Sequence, residues 1–67
     1  MSTIADKIEQ FDGALKVRDL ARELRLHPIT VYRLAHAGKL PHFRIASSIR
    51  FCPRTLAAYL RKHEVGR

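Results

Sequence analysis

Two short segments with apolar residues at helical spacing, one ending at Leu24 and the other opening at Pro28, constrain the fold of this 67-residue chain more than any other feature. The first pattern places four apolar residues on one helix face: Val17, Leu20, Ala21 and Leu24. The second pattern repeats that spacing with Val31, Leu34 and Ala35. Arg25, Leu26 and His27 lie between the patterns, and a connection this short forces two neighbouring helices to meet across a tight bend. Pro28 is a favourable first helical residue and Gly38 a favourable stop, so the second helix is bounded on both sides.

The second helix leaves a polar and cationic side free of its apolar residues. Two helices joined by a tight bend, the second with such a face, have the layout of a helix-turn-helix, and the major groove of DNA is wide enough to admit one helix. We predict DNA contacts from six residues of this helix: Pro28, Ile29, Thr30, Tyr32, Arg33 and His36. Arg33 is the first candidate because Arg is the commonest reader of guanine, although a solvated Arg is the alternative.

Four of the other five residues have alternatives that the sequence leaves open. Tyr32 packs against the wing as core or touches a phosphate with its hydroxyl, and the two roles are compatible. Thr30 either caps the helix or donates to a phosphate in the first turn. Ile29 and Pro28 either touch a thymine methyl group or are merely packed or exposed. His36 is expected to contact a phosphate.

Four more patterns surround the two helices. Residues 3–11 have helical spacing, and Thr3 and Asp6 are placed as a capping box; Asp12-Gly13 ends this segment. A closing helix is predicted from residue 53 to about residue 63. Between them, two alternating runs predict a two-stranded hairpin: Phe43-Arg44-Ile45 and Ile49-Arg50-Phe51. We therefore expect an N-terminal helical extension, residues 1–13, and a mostly α-helical domain with a small β-hairpin, residues 14–67.

The hairpin register follows from placing its four apolar residues on one face. Ile45 then lies opposite Ile49, and Ala46-Ser47-Ser48 forms the loop. In this register Arg44 faces Arg50, an arrangement of like charges that a bound phosphate would relieve.

Charge is unevenly distributed along the chain. Thirteen Lys and Arg against six Asp and Glu give a net charge of +7, with −1 in residues 1–24 and +8 in residues 25–67. The excess begins where the second helix begins, which favours a polyanionic partner; a solvated surface kept for solubility is the alternative. Further cations, Arg54, Arg61 and Lys62, are expected to contact the DNA backbone or to be solvated.

Several classes of protein and site are not expected. The lone Cys52 cannot form an intramolecular disulfide, no run of about 18 apolar residues is present, and the N-terminus lacks the features of a secretion signal. We expect a cytoplasmic protein, associated with the nucleoid when bound, with no membrane partner. Neither the four His residues nor Cys52 have the spacing of metal ligands, and no catalytic motif is present, so we expect no enzyme, metal or cofactor.

The order of these segments resembles the excisionase-type, MerR-like winged helix-turn-helix family. The resemblance covers residues 15 to about 62, and its most specific parts are the runs Thr30-Val31-Tyr32-Arg33-Leu34 and Gly38-Lys39-Leu40-Pro41, followed by Phe43-Arg44-Ile45. It implies a recognition helix in the major groove and a hairpin wing on the adjacent backbone or minor groove. Arg44 and Arg50 fall on the wing strands of that family. For the wing and its flanks we predict DNA contacts from Lys39, Arg44, Ser47, Ser48 and Arg50, with a solvated Lys39 as the alternative. The chain departs from the family pattern with Lys16 and Arg25 in place of a capping Thr or Ser and a turn Gly.

The resemblance also implies function and partners. It favours sequence-specific binding of double-stranded DNA by a recombination directionality factor of a mobile element, with DNA bending and cooperative binding of further copies on adjacent sites. An integrase or recombinase is a further expected partner, and no small-molecule effector is expected. A prophage or plasmid transcription regulator of the same fold is the alternative within DNA binding. A protein-interaction adaptor or antitoxin is the alternative outside it, and RNA binding a minor one.

Overall fold

The computed structural model describes residues 3–63, so residues 1–2 and 64–67, the ends of the two expected domains, lie outside the described residues. Within this range the elements in chain order are α1 (Ile4–Glu9), β1 (Leu15–Lys16), α2 (Val17–Leu24), α3 (Pro28–His36), β2 (Phe43–Ile45), β3 (Ser48–Phe51) and α4 (Pro53–Lys62). The strands form one antiparallel sheet in the order β1-β3-β2. A mostly helical fold with such a sheet is consistent with a winged helix-turn-helix, in which α2 and α3 are the paired helices and the β2–β3 hairpin is the wing. No helix within residues 3–63 is long and apolar enough to cross a membrane.

The bend between α2 and α3 lies where the sequence predicts it. Arg25 adopts the left-handed conformation with φ of 58°, and the N–H of Leu26 donates to the carbonyl of Ala21 at 2.9 Å. This bond closes the C-terminus of α2 and turns the chain sharply. A left-handed residue other than Gly costs roughly 1–2 kcal/mol, so the bend carries local strain at Arg25.

The two ends of α3 also have identifiable causes. The Nδ1 atom of His27 accepts a hydrogen bond from the N–H of Ile29 at 3.2 Å and thereby caps the helix. The alternative in which Thr30 caps the helix is therefore wrong. At the other end Gly38 has φ of +73°, and the N–H of Lys39 donates to the carbonyl of Leu34, which confirms that α3 stops at this glycine.

Helix α1 is attached to α4 by burial and by ion pairs. The predicted capping box is confirmed: the Thr3 hydroxyl accepts from the N–H of Asp6, and the Asp6 carboxylate accepts from the N–H of Thr3. The helix ends at Glu9, before the predicted end at residue 11. Arg61 of α4 donates to the carboxylates of Asp6 and Glu9, both at 2.6 Å, and Ile8 is fully buried. Arg61 is thus ion-paired, contrary to the expectation of a solvated or DNA-contacting residue.

The predicted register of the hairpin is wrong by one residue. Ile45 lies opposite Ser48, Arg44 opposite Ile49, and Phe43 opposite Arg50, so the loop contains only Ala46 and Ser47, and Ser48 belongs to β3. Two-residue hairpin loops need a positive φ, which Ala46 supplies at 56°. Because a shift of one residue turns a strand over, Phe43 and Ile45 face outward, 41% and 57% exposed, instead of joining the core.

A third strand, β1, is absent from the sequence prediction because two residues are too short to show a period. It pairs with β3 so that Leu15 lies opposite Phe51 and Lys16 opposite Arg50. The opposed like charges therefore exist in the sheet, but Lys16 rather than Arg44 faces Arg50. On the other face, the sheet closes the core, whose largest fully buried side chains are Phe51, Ile8, Leu15, Leu20, Leu56 and Val31.

Candidate nucleic-acid interface

An open cleft of about 710 Å³ lies between the start of α2, one side of α3 and the wing. Seven of the eleven predicted contacts line it: Pro28, Tyr32, His36, Arg44, Ser47, Ser48 and Arg50. Because α3 and the wing are separated in sequence, only the tertiary fold can bring these residues to one surface. The remaining four, Ile29, Thr30, Arg33 and Lys39, lie outside the cleft.

The α3 residues in the cleft form a single row, spaced by four along the helix. Pro28, Tyr32 and His36 have this spacing and all three are exposed. Tyr32 is 46% exposed, so it belongs to the cleft wall and not to the core. At the end of the row, Nδ1 of His36 lies 3.5 Å from Nη2 of Arg44, which links α3 to the wing.

The next row on α3 points away from the body of the protein. Ile29 is 52% exposed, and Arg33, one turn further on, is also exposed. Within the described part of the chain, the Arg33 guanidinium has neither a hydrogen bond nor an ion pair, so it is available to a ligand. Thr30 is half-buried. Lys39 lies beyond the end of α3 and is exposed, and its backbone carbonyl accepts a hydrogen bond from the Tyr59 hydroxyl.

The two wing arginines point to opposite faces of the hairpin and nevertheless line the same cleft. Arg44 is exposed, whereas Arg50 is half-buried and donates from Nη1 to the carbonyl of Ile49 at 3.0 Å. Ser47 and Ser48 are exposed at the tip between them. The prediction that Arg44 faces Arg50 directly is wrong, because the two-residue loop sets a different register.

Three basic residues of this surface were missed as contacts: Lys16, Arg18 and Arg22 all line the cleft. Arg18 and Arg22 are four residues apart on the outer side of α2, a signal that was visible in the sequence. The cleft thus has five basic side chains against one carboxylate, that of Asp19, which accepts the N–H of Lys16 at 3.2 Å. A cleft with this excess of cations favours polyanions.

Cys52 lies away from the cleft, half-buried at the start of α4. The backbone N–H of Thr55, followed by its hydroxyl, lowers the pKa of the Cys52 thiol. No group of three or more His, Cys, Asp or Glu side chains among residues 3–63 is placed to share a metal ion.

This fold and this basic surface define a helix-turn-helix domain whose partner is DNA. The sequence model of the family described as helix-turn-helix domain matches residues 14–64, most of the chain, and the protein belongs to that family. No curated protein and no solved structure matches the chain.

Proposed function

We propose that this protein recognises specific sequences in duplex DNA, with α3 in the major groove and the wing along the adjacent backbone. The observation that carries the proposal is the cleft, in which the α3 row of Tyr32 and His36 meets the wing cations Arg44 and Arg50. In this arrangement the outward row with Ile29 and Arg33 reads base edges, while the surrounding cations hold phosphates.

Binding-site selection from random duplexes at two salt concentrations tests this mode of binding. Arg33→Ala is expected to relax the preference at one base position, at a cost of about 1–3 kcal/mol. Arg44→Ala is expected to weaken binding to all sequences and to reduce the slope of log K against log salt by about 0.9. Lys7→Ala, which changes an exposed cation of α1 outside the cleft, is the matched control and leaves both quantities unchanged. A selection profile without sequence preference contradicts the proposal.

We further propose that the protein is an excisionase-type, MerR-like recombination directionality factor. The support is the sequence resemblance in residues 30–34 and 38–45. A domain of this size covers little DNA, so useful occupancy needs several copies on adjacent sites, and we propose that they bind cooperatively and bend the duplex.

Three measurements test this role. Gel shifts on long operator DNA are expected to show several complexes that form together, and a single independent complex contradicts cooperative binding. Energy transfer between labels at the two duplex ends is expected to rise on binding because bending shortens their distance. Where an integrase or recombinase gene lies beside this one, an excision assay with that recombinase is expected to depend on the protein. Repression of a nearby promoter without any effect on excision indicates a transcription regulator instead.

A further inference from the structure

Two large apolar side chains of the wing are exposed on the outer face of the sheet. Phe43 is 41% exposed and Ile45 is 57% exposed, although their alternation with Arg44 is typical of a half-buried strand. The two-residue loop places them there, and both side chains remain exposed. Clustered exposed apolar residues of this kind are typical of interaction surfaces.

Phe43 also forms one wall of a groove of about 400 Å³. The opposite walls come from the segment before β1 and from the start of α4, with Phe11, Ala14, Cys52 and Pro53 as the apolar lining. The groove and the basic cleft have no lining residue in common. A partner in the groove therefore leaves α3 free for DNA.

The surroundings of the groove are positively charged. Arg54 lines its edge, and Arg50 lies directly opposite Phe43 on the same face of the sheet, with Lys16 on its other side. Glu9 also lines the groove, but its carboxylate is held by Arg61 at 2.6 Å. Asp12, an exposed carboxylate adjacent to Phe11 in sequence, offsets only part of this charge.

Charge and polarity select among possible occupants. A phosphate backbone gains nothing from an apolar groove, and in the absence of DNA a second copy with a net charge of +7 is repelled by the first. We propose that the groove binds a short acidic segment of another protein that inserts a large apolar side chain beside Phe43. This interaction goes beyond DNA recognition. Phe43 and Arg54, which do not line the cleft, hold the segment, so α3 stays free for DNA.

A random peptide library displayed on phage, selected against the full chain, is the first test. Enrichment of sequences that combine several Asp or Glu with Leu, Ile, Met, Phe or Trp is expected. A pool that is basic, polar or unenriched overturns the proposal. Backbone amide shifts on addition of an enriched synthetic peptide are expected at Ala14, Phe43 and Arg54, and shifts confined to the cleft also overturn it.

Variants of matched exposure separate this surface from the DNA surface. Phe43→Ser is expected to weaken peptide binding about five- to thirtyfold and to leave duplex binding unchanged. Ile29→Ser, which removes an apolar side chain of similar exposure from α3, is expected to weaken duplex binding only. Arg54→Glu provides a second variant on the helix surface, with a peptide affinity reduced by at least about twofold. Equal peptide affinity in the wild type, Phe43→Ser and Arg54→Glu overturns the proposal, as does dimerisation that depends on Phe43. If the wild type binds the peptide but does not bind duplex DNA, only the DNA proposal is contradicted.

Discussion

The Nη2 atom of Arg44 in the wing lies 3.5 Å from Nδ1 of His36 on α3. One side-chain hydrogen bond therefore joins α3 and the wing, the two elements that are proposed to contact DNA. A guanidinium can only donate, and Nδ1 of His36 is therefore the acceptor. Because the bond is exposed, it contributes little to stability, but it orients Arg44 towards the cleft.

We expect His36→Ala to weaken binding to the selected duplex about two- to fivefold, because Arg44 loses its acceptor and samples more orientations. His36→Gln retains an acceptor and is expected to retain more of the affinity. Fluorescence anisotropy at fixed salt measures both, with His63→Ala, an exposed histidine directly after α4, as the control. Identical affinities for the Ala and Gln variants contradict an orienting role for His36.

Lys16 and Arg50 are opposed across β1 and β3, and this pair predicts opposite effects on stability and on binding. Like charges directly opposite each other destabilise a sheet, so Lys16→Gln is expected to raise the free energy of unfolding by a few tenths of a kcal/mol. The same change is expected to weaken DNA binding and to reduce the salt slope by about 0.9, because one phosphate contact is lost. Urea denaturation and salt-dependent anisotropy measure the two effects. Lys7→Gln is the control. If Lys16→Gln raises or lowers the free energy of unfolding and the affinity for DNA together, no phosphate is held between Lys16 and Arg50.

Arg25 supplies a test of backbone strain. Arg25→Gly is expected to raise the free energy of unfolding by about 1 kcal/mol, because glycine adopts the left-handed conformation without the steric cost. Arg25 does not line the cleft, so the affinity for DNA is expected to change little. Chemical denaturation measures the first effect. Arg22→Gly, inside α2, is the comparison and is expected to destabilise the protein by about 1 kcal/mol.

Acid is expected to loosen the attachment of α1 to α4. The hydrogen bond from Arg61, followed by that from the Thr3 backbone, lowers the pKa of the Asp6 carboxyl below its ordinary value of 3.8. A lowered folded-state pKa means that the unfolded chain takes up the proton first. The contribution of Asp6 is therefore present above pH 3.8 and is lost as the pH falls through the lower folded-state value.

Unfolding measured by circular dichroism between about pH 2 and pH 7 tests this dependence, because carboxyl groups titrate within this range. In Arg61→Ala the loss of stability at acid pH is expected to be smaller than in the wild type, because the partner that lowers the pKa is absent. Lys62→Ala, the neighbouring exposed cation, is the control. An acid transition of unchanged size in Arg61→Ala excludes this origin.

The helices were predictable because their signals are local. The apolar period, the Thr3 and Asp6 capping box and the stop at Gly38 each depend on residues within one or two turns of one another. The helices depart from the prediction mainly at their ends, as with α1, which ends at Glu9 instead of residue 11.

The positions of the charges were not predictable from their order in the sequence. Residues 1–24 have a net negative charge, yet three of their four cations, Lys16, Arg18 and Arg22, lie in the basic cleft. Two of their carboxylates, Asp6 and Glu9, are paired with Arg61 of α4, outside the cleft. The net charge of a sequence segment therefore does not show where its charges lie, because the fold places its cations and its carboxylates on different surfaces.

By itself, the sequence determined the two paired helices, their bend and the outward face of α3, because helical periodicity and capping act over a few residues. Only the tertiary structure decided the hairpin register, the pairing of Lys16 with Arg50 and the exposure of Phe43. These depend on a left-handed turn at Ala46 and on a strand, β1, that pairs with β3 across more than thirty residues of chain. Strand pairing is set by contacts between distant segments, and no local pattern specifies which residue lies opposite which.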